Sequence, residues 1–355
     1  MNISISTYEI KYGDTLDSVA EQFGISAEAL KRHHNTYCDL KNLIGNDPKG
    51  ISQILIPPRE KIAQIKEKQS EISQLNNLPS IYLTPQFYAS DYDVIQRFEE
   101  NDTEDLEINY STSVSLVKTN DKGFLAEVKT CDFRKKGQIA DDKISMLSLA
   151  CTDSISPLQF TIPAQGKITG FYDHKNLVKK FENKRSDLED FFIGDISNAY
   201  FIQFYNYLID ENSLLKQFTS TLLYQVLFPK MDWFHRKTEW EENFYVIPNS
   251  FPVKCQFNSE YDFQNPSTAE IIIKGKIVED YSLYELLKGL KFEESPEDKL
   301  TGDIELHYTI DKETKQLKKI EASIILFHGE EIYIKQHLKL KAKEEIRKRN
   351  TTLID

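Results

Sequence analysis

The chain has 355 residues and a formal net charge of −12, from 44 Lys+Arg against 56 Asp+Glu. Hydrophobic residues make up 40% and aromatics 12%, enough for a large core, which excludes an intrinsically disordered chain. The acidic balance argues against a general nucleic-acid binder, which needs a basic face to neutralise phosphate.

Residues 1–57 read as one compact unit. The opening, MNISISTYEIKYGDT, has no basic start, no apolar core and no small-residue cleavage site, so no signal peptide is read and a cytoplasmic location is expected. Tyr8-Glu9-Ile10 predicts a short strand. Gly13-Asp14-Thr15 predicts a turn in which Asp14 or Thr15 caps a helix through a side-chain oxygen. Leu16, Val19, Ala20 and Phe23 form the apolar stripe of that helix, and Gly24 stops it. Ser26 caps a second helix, with Ala29 and Leu30 on its stripe and its end at Asn35. After a loop, Ile54-Leu55-Ile56-Pro57 predicts a second strand with a proline stop. The order is β-α-α-β, around an expected core of Ile10, Leu16, Val19, Phe23, Leu30 and Ile56.

The elements YEI, GDTLDSVA, QFGIS, LKRHHN and ILIP, between Tyr8 and Pro57, resemble a LysM domain in order and spacing. The resemblance implies a βααβ fold that binds β-1,4-linked N-acetylglucosamine polymers, peptidoglycan or chitin. It places a shallow sugar groove between the loop entering the first helix and the loop before the second strand. Here those are Gly13, Asp14, Thr15 and Leu16, with Ser52 and Gln53. The segment TYCDLKNLIGNDPKGIS makes this loop longer than the usual family pattern, on the side where it either extends or blocks the groove. Residues 35–45 are also similar to LysM proteins of contractile injection machines, phage tails and type VI secretion systems. That likeness implies a docking role and a protein partner in a secretion or tail apparatus.

Pro57-Pro58 and Leu78-Pro79 bracket a polar segment, 58–80, in which Ile62, Ile65 and Ile72 make a weak helical stripe. It is expected to be a short exposed linker helix. The rest, 81–355, reads as an α+β domain, a larger antiparallel sheet with a helical insertion. Over 105–172 two β-hairpins are expected. Ile108, Tyr110, Thr112, Val114 and Leu116 alternate with polar residues up to the turn Asn120-Asp121-Lys122-Gly123, and Phe124, Ala126 and Val128 alternate after it. A second hairpin turns at Pro163-Ala164-Gln165-Gly166. Helices are expected over 174–228: at 176–192, at 196–209, and along a stripe from Leu214 to Leu227 that Pro229 ends. Residues 196–209 are uncharged but contain Ser197, Asn198, Gln203 and Asn206, and no segment approaches the ~20 apolar residues of a membrane span. Strands return at 270–278, then in a meander at 302–310, 317–327 and 331–340, the whole covering 270–342. The basic stretch 335–349 predicts a solvated edge strand guarded by lysines.

Three groups bear on chemistry. His33, His34, Cys38 and Asp39 are ligand types that zinc takes, but no second cluster completes a site, so no metal is expected. Asp232, His235, Glu239, Glu241 and Glu242 lie around Trp233 and Trp240, a setting in which two acids can cleave a glycosidic bond. A Cys255–His235 pair has no supporting signature. There is no HExxH, GxSxG, P-loop or GxGxxG, so no catalytic residue and no cofactor is assigned, and the reading leans away from an enzyme. Cys38, Cys131, Cys151 and Cys255 are widely scattered, which predicts reduced thiols. The leading reading is a LysM-containing binding and adaptor protein. The alternatives are a secreted effector enzyme that targets peptidoglycan and a peptidoglycan-binding envelope protein.

Overall fold

The computed structural model describes residues 6–100, 105–119, 123–139, 141–292 and 299–343. They fall into two compact units, Met1–Asn76 and Asn77–Asp355.

The N-terminal unit runs β1 (Ser6–Glu9), α1 (Leu16–Phe23), α2 (Ala27–Tyr37), β2 (Gln53–Ile56) and α3 (Arg59–Leu75). β1 and β2 pair antiparallel, Ser6 opposite Ile56 and Glu9 opposite Gln53. Thr15 starts α1 with a capping box, in which its hydroxyl accepts from the Ser18 N–H and the Ser18 hydroxyl accepts from the Thr15 N–H. Gly24 ends α1 at φ 64°, a left-handed conformation that glycine adopts without strain. Ser26 caps α2 by accepting from the Ala29 N–H. Leu16, Val19, Ala20, Ile25, Leu30, Ile44, Ile54 and Ile56 form the core. Ile10 and Phe23, expected inside, are only partly buried and pack on its rim.

The expected linker helix differs. α3 belongs to the N-terminal unit, where Ile62 and Ile65 pack against the core. Gln69 donates to the Ser26 hydroxyl at 2.8 Å, and the Lys61 ammonium stands 4.8 Å from the Tyr37 ring centroid. Two isoleucines one turn apart gain more from an apolar surface than from water, so a polar helix with this stripe docks instead of spanning.

The C-terminal unit is built on one large antiparallel sheet. Its strands are β3 (Asp91–Glu100), β4 (Leu106–Lys118), β5 (Gly123–Lys135), β6 (Gln138–Ile139), β7 (Leu158–Pro163), β8 (Gly170–Phe171), β9 (Trp240–Phe244), β10 (Val253–Asp262), β11 (Thr268–Ile277), β12 (Leu300–Asp311), β13 (Leu317–His328) and β14 (Glu331–Ala342). Their order is β8-β7-β5-β4-β3-β14-β13-β12-β11-β10-β9, with β6 on β5. β3 pairs with β14, so strands far apart in the chain lie side by side at the middle of the sheet. Five helices come between β6 and β9: α4 (Lys143–Ser154), α5 (His174–Phe191), α6 (Asp195–Ile209), α7 (Glu211–Thr219) and α8 (Leu222–Leu227). A sixth, α9 (Leu283–Lys288), joins β11 to β12.

Alternation along each strand separates two faces. Tyr92, Val94, Tyr110, Val114, Ile304, Tyr308, Ile320, Ile324 and Leu340 are buried in the core shared with the helices. Their neighbours Asp93, Arg97, Lys274, Asp303, Glu321 and Lys339 form ion pairs on the other face. Buried tyrosine hydroxyls tie sheet to helices: Tyr308 donates to the Val226 carbonyl at 3.0 Å and Tyr88 to that of Leu227 at 2.8 Å.

Two expectations are corrected here. The helical run from Leu214 to Leu227 is broken between α7 and α8, where the Ser220 hydroxyl accepts from the Asn249 N–H at 2.8 Å. β14 is interior, not an edge, and its lysines neutralise acids on neighbouring strands: Lys335 with Glu99, Lys339 with Glu321. The remaining basic residues, 344–349, and turn residues 120–122 lie outside the described residues.

A fragment of residues 1–76 is expected to melt cooperatively and at a higher temperature than residues 1–57, because only the longer one carries Ile62 and Ile65. Leu30→Ala in that fragment is expected to cost about 2–5 kcal/mol by denaturant titration. Equal melting of the two fragments would show that α3 adds nothing.

Candidate functional site

The groove side of the N-terminal unit holds an open cleft of about 720 Å³. Leu16 and Asp17 line it from the start of α1; Ala27, Glu28, Lys31, Arg32 and Asn35 line it from α2; Asn46 lines it from the long loop. The α2 residues recur at helical spacing, which puts them on one face.

The loop is held away from this space by two side chains of α2. Asn35 grips Ile44 with both ends of its amide, donating to the Ile44 carbonyl and accepting from the Ile44 N–H, each at 2.9 Å. His34 accepts from the Leu55 N–H at Nδ1, at 3.0 Å, so the proton sits on Nε2 and is donated to the Asn42 carbonyl at 2.8 Å. Ile44 is buried between these anchors. Lys31 reaches the Asn46 side chain at 3.1 Å. The insertion therefore forms a wall of the cleft and does not fill it. His33 and His34 are both buried. Burial above all, helped by the charge of Lys61 and by His34, holds His33 below its ordinary value of 6.5.

The residues carried over from the resemblance divide. Leu16 lines the cleft. Gly13 is exposed at φ 92°, with open space where a side chain would project. Asp14 spends its carboxylate on the Tyr8 hydroxyl at 3.0 Å and the Lys11 N–H at 2.8 Å, which holds the turn. The Thr15 hydroxyl is engaged in the helix cap. Ser52 accepts from the Ile10 N–H through its carbonyl, and Gln53 opens β2 opposite Glu9. None of these five lines the cleft. Asp17, Glu28, Lys31, Arg32 and Asn46 were missed. The signal for most of them was the polar stripe at 28, 31, 32 and 35 on the face of α2 opposite Leu30.

The other sequence candidates do not converge. Asp232 pairs with Arg236 at 2.5 Å, Glu241 with Lys254 at 2.6 Å and Glu242 with Lys230 at 2.6 Å. Glu239 accepts from Gln256, and His235 is bonded to the Pro79 carbonyl. Each group thus has its own partner, and Glu241 and Glu242 point to opposite faces of β9. Trp233 and Trp240 are buried and stack on the Phe257 ring, which lies against Gly275, where a Cβ would clash. All four cysteines are free. Burial pushes the Cys255 thiol up to about 12, away from the range of a nucleophilic thiolate. Among the described residues no three His, Cys, Asp or Glu side chains gather to hold a metal ion.

Substituting Asn35 by Ala removes both bonds to Ile44 and is expected to cost about 1–3 kcal/mol. A pH effect is also expected. The folded state resists protonating His33, so the unfolded state binds that proton first, and stability falls as pH drops below 6.5. Melting of residues 1–76 against pH should show this loss, and His33→Gln should make it shallower; an unchanged slope would exclude His33 as its source.

Residues 8–39 match the family model for a LysM domain, which covers the end of β1, all of α1 and α2, and the start of the long loop. No curated protein matches the chain. A solved structure titled "Lipid-protein interactions in lipovitellin" overlaps at 9% identity and a TM-score of 0.36, over 73% of this chain and 25% of that one. The chain thus spans about a quarter of that structure, and so loose an overlap carries no argument. The N-terminal unit of this chain carries a LysM domain, a family that points to glycan binding.

Proposed function

We propose that this chain is a glycan-binding adaptor, in which the LysM cleft takes an N-acetylglucosamine chain of peptidoglycan and the C-terminal unit docks a protein. The observation that carries the glycan reading is the open cleft beside Thr15 and Leu16, which the anchored loop walls but leaves free. Lys31, Arg32 and Asn46 bring donors to it, and acetamido carbonyls require donors. Tyr12, next to Gly13, is fully exposed and offers a flat ring to a sugar face. For the C-terminal unit, exposed Phe191, Ile193 and Ile196 support docking to a protein. Together with the likeness of residues 35–45 to LysM proteins of contractile injection machines, this supports a type VI-like apparatus as the setting.

The test is a titration of chitooligosaccharide and of muropeptide into isotope-labelled residues 1–76, followed by amide shifts. One shallow site is expected to give saturable shifts at 13–17, 28–32 and 46 with a Kd of about 0.1–1 mM, or about −5.5 to −4.1 kcal/mol. Absence of shifts at millimolar sugar would remove the glycan reading and leave protein docking as the role of this unit.

A further inference from the structure

A cavity of about 280 Å³ opens in the C-terminal unit between α8, the segment that follows it and the edge strand β9. Its walls include the rings of Tyr224, Phe228, Trp233, Phe244 and Tyr245. Phe228, Trp233 and Phe244 are buried, so the core behind them fixes this lining. Gln225 closes one side by gripping Tyr245 with both ends of its amide. It donates to the Tyr245 carbonyl at 2.9 Å and accepts from the Tyr245 N–H at 2.8 Å.

The charge on the wall has one sign. Lys167 and Lys230 line the cavity, and no acidic residue does. Backbone contacts force these two lysines together. The Met231 N–H donates to the Gln165 carbonyl at 2.8 Å, and Gly166 forms a bridge with Lys230. A Cβ at Gly166 would stand 2.2 Å from the Pro229 carbonyl oxygen, so glycine is what lets the two segments touch. Lys167 is itself held at φ 66°, in the left-handed region that side chains avoid. From outside the wall, the Glu242 carboxylate accepts from Lys230 at 2.6 Å and stands 3.9 Å from Lys167, beyond hydrogen-bond reach. One carboxylate thus answers two ammonium groups, and the balance is positive. A further donor is buried in the wall: the indole N–H of Trp233 has no acceptor among the described residues. Native structures leave few buried donors unpaired.

We propose that this cavity binds a small aromatic carboxylate, with its ring against Phe228, Trp233 and Phe244 and its carboxylate at the ammonium groups of Lys167 and Lys230. An anion supplies the acceptor that the wall lacks, and a charge-assisted bond to an ammonium is among the stronger ones. A flat ring suits aromatic walls, which take edge or offset contacts with it. The volume lies at the lower end for ligand cavities, which suits one ring on a short chain and not a long acyl chain. Burial above all, with Lys230 beside it, holds the Lys167 amine below its ordinary value of 10.5 in spite of Glu242, the mark of cations that are not fully neutralised. The proposal stands apart from the glycan reading, because it concerns the other unit and is measured without sugar.

The experiment is isothermal titration calorimetry of the full chain with 3-phenylpropionate, 3-phenylpropanamide and acetate. It is run at two temperatures, because burying apolar surface makes the heat of binding temperature-dependent. 3-Phenylpropionate, with about eleven non-hydrogen atoms, is expected to bind one site with a Kd of about 0.1 mM. The amide keeps the ring without the charge and acetate keeps the charge without the ring, so each is expected to bind about tenfold more weakly or worse. Lys167→Gln, at a side chain that is 51% exposed, is expected to weaken 3-phenylpropionate about tenfold and to melt like the parent. Asn243→Asp brings a negative charge to the same wall and repeats the test should the first variant melt differently. Lys49→Gln removes the same charge from the N-terminal unit and should leave binding intact. No saturable heat with millimolar 3-phenylpropionate at either temperature overturns the proposal. So does equal affinity for the amide or for acetate, binding that survives both wall substitutions, or binding that Lys49→Gln weakens equally.

Discussion

The C-terminal unit depends on the pairing of β3 with β14. From Ile334 opposite Glu100 to Ala342 opposite Tyr92, this ladder joins the hairpins of β4–β8 to the meander of β10–β14. It closes a contact across most of the chain, so the entropy of a very long loop is offset only when both halves are formed. Without it there would be two smaller sheets, each with an unpaired edge. With it, the two arms share one apolar face, and α8 has a floor to lie on. The tyrosine hydroxyls of Tyr88 and Tyr308 then find the carbonyls that end α8, which satisfies groups too deep for water.

The N-terminal unit solves a different problem at smaller scale. About fifty residues bury a limited core, and a long loop adds entropy without adding much apolar surface. The loop is kept by polar bonds: Asn35 and His34 each use both ends of their side chains on backbone groups. α3 supplies the missing apolar area through Ile62 and Ile65. The cleft is a by-product of this arrangement, because the loop is anchored at Asn42 and Ile44 and only Asn46 reaches the rim.

Under the proposed glycan reading, one shallow cleft would bind weakly, and a polymer that repeats its epitope would be held tightly only by several such clefts acting at once, through effective concentration. The face of the large sheet away from the helices pairs charges across its strands, Lys274 with Glu260 and Lys339 with Glu321, and exposed pairs of this kind each add little to stability.

The N-terminal elements were legible in the sequence because their signals are local. A cap at Thr15, a stop at Gly24, a cap at Ser26 and a proline after Ile56 act within a turn or two of where they stand. The meander was legible for the same reason, as period-two alternation needs no knowledge of its partner strand. What the tertiary structure decided was every matter of neighbours. That β14 lies inside the sheet, that α3 docks, that His34 is buried and that Trp233 and Trp240 stack on Phe257 all depend on residues distant in sequence. The same holds for the cleft. Leu16 could be named from its position after a motif turn, but Lys31, Arg32 and Asn46 become its walls only once Asn35 fixes the loop. Composition and periodicity report which face of an element avoids water; they do not report what covers it, because that choice is made by contacts whose free energy exists only in the assembled chain.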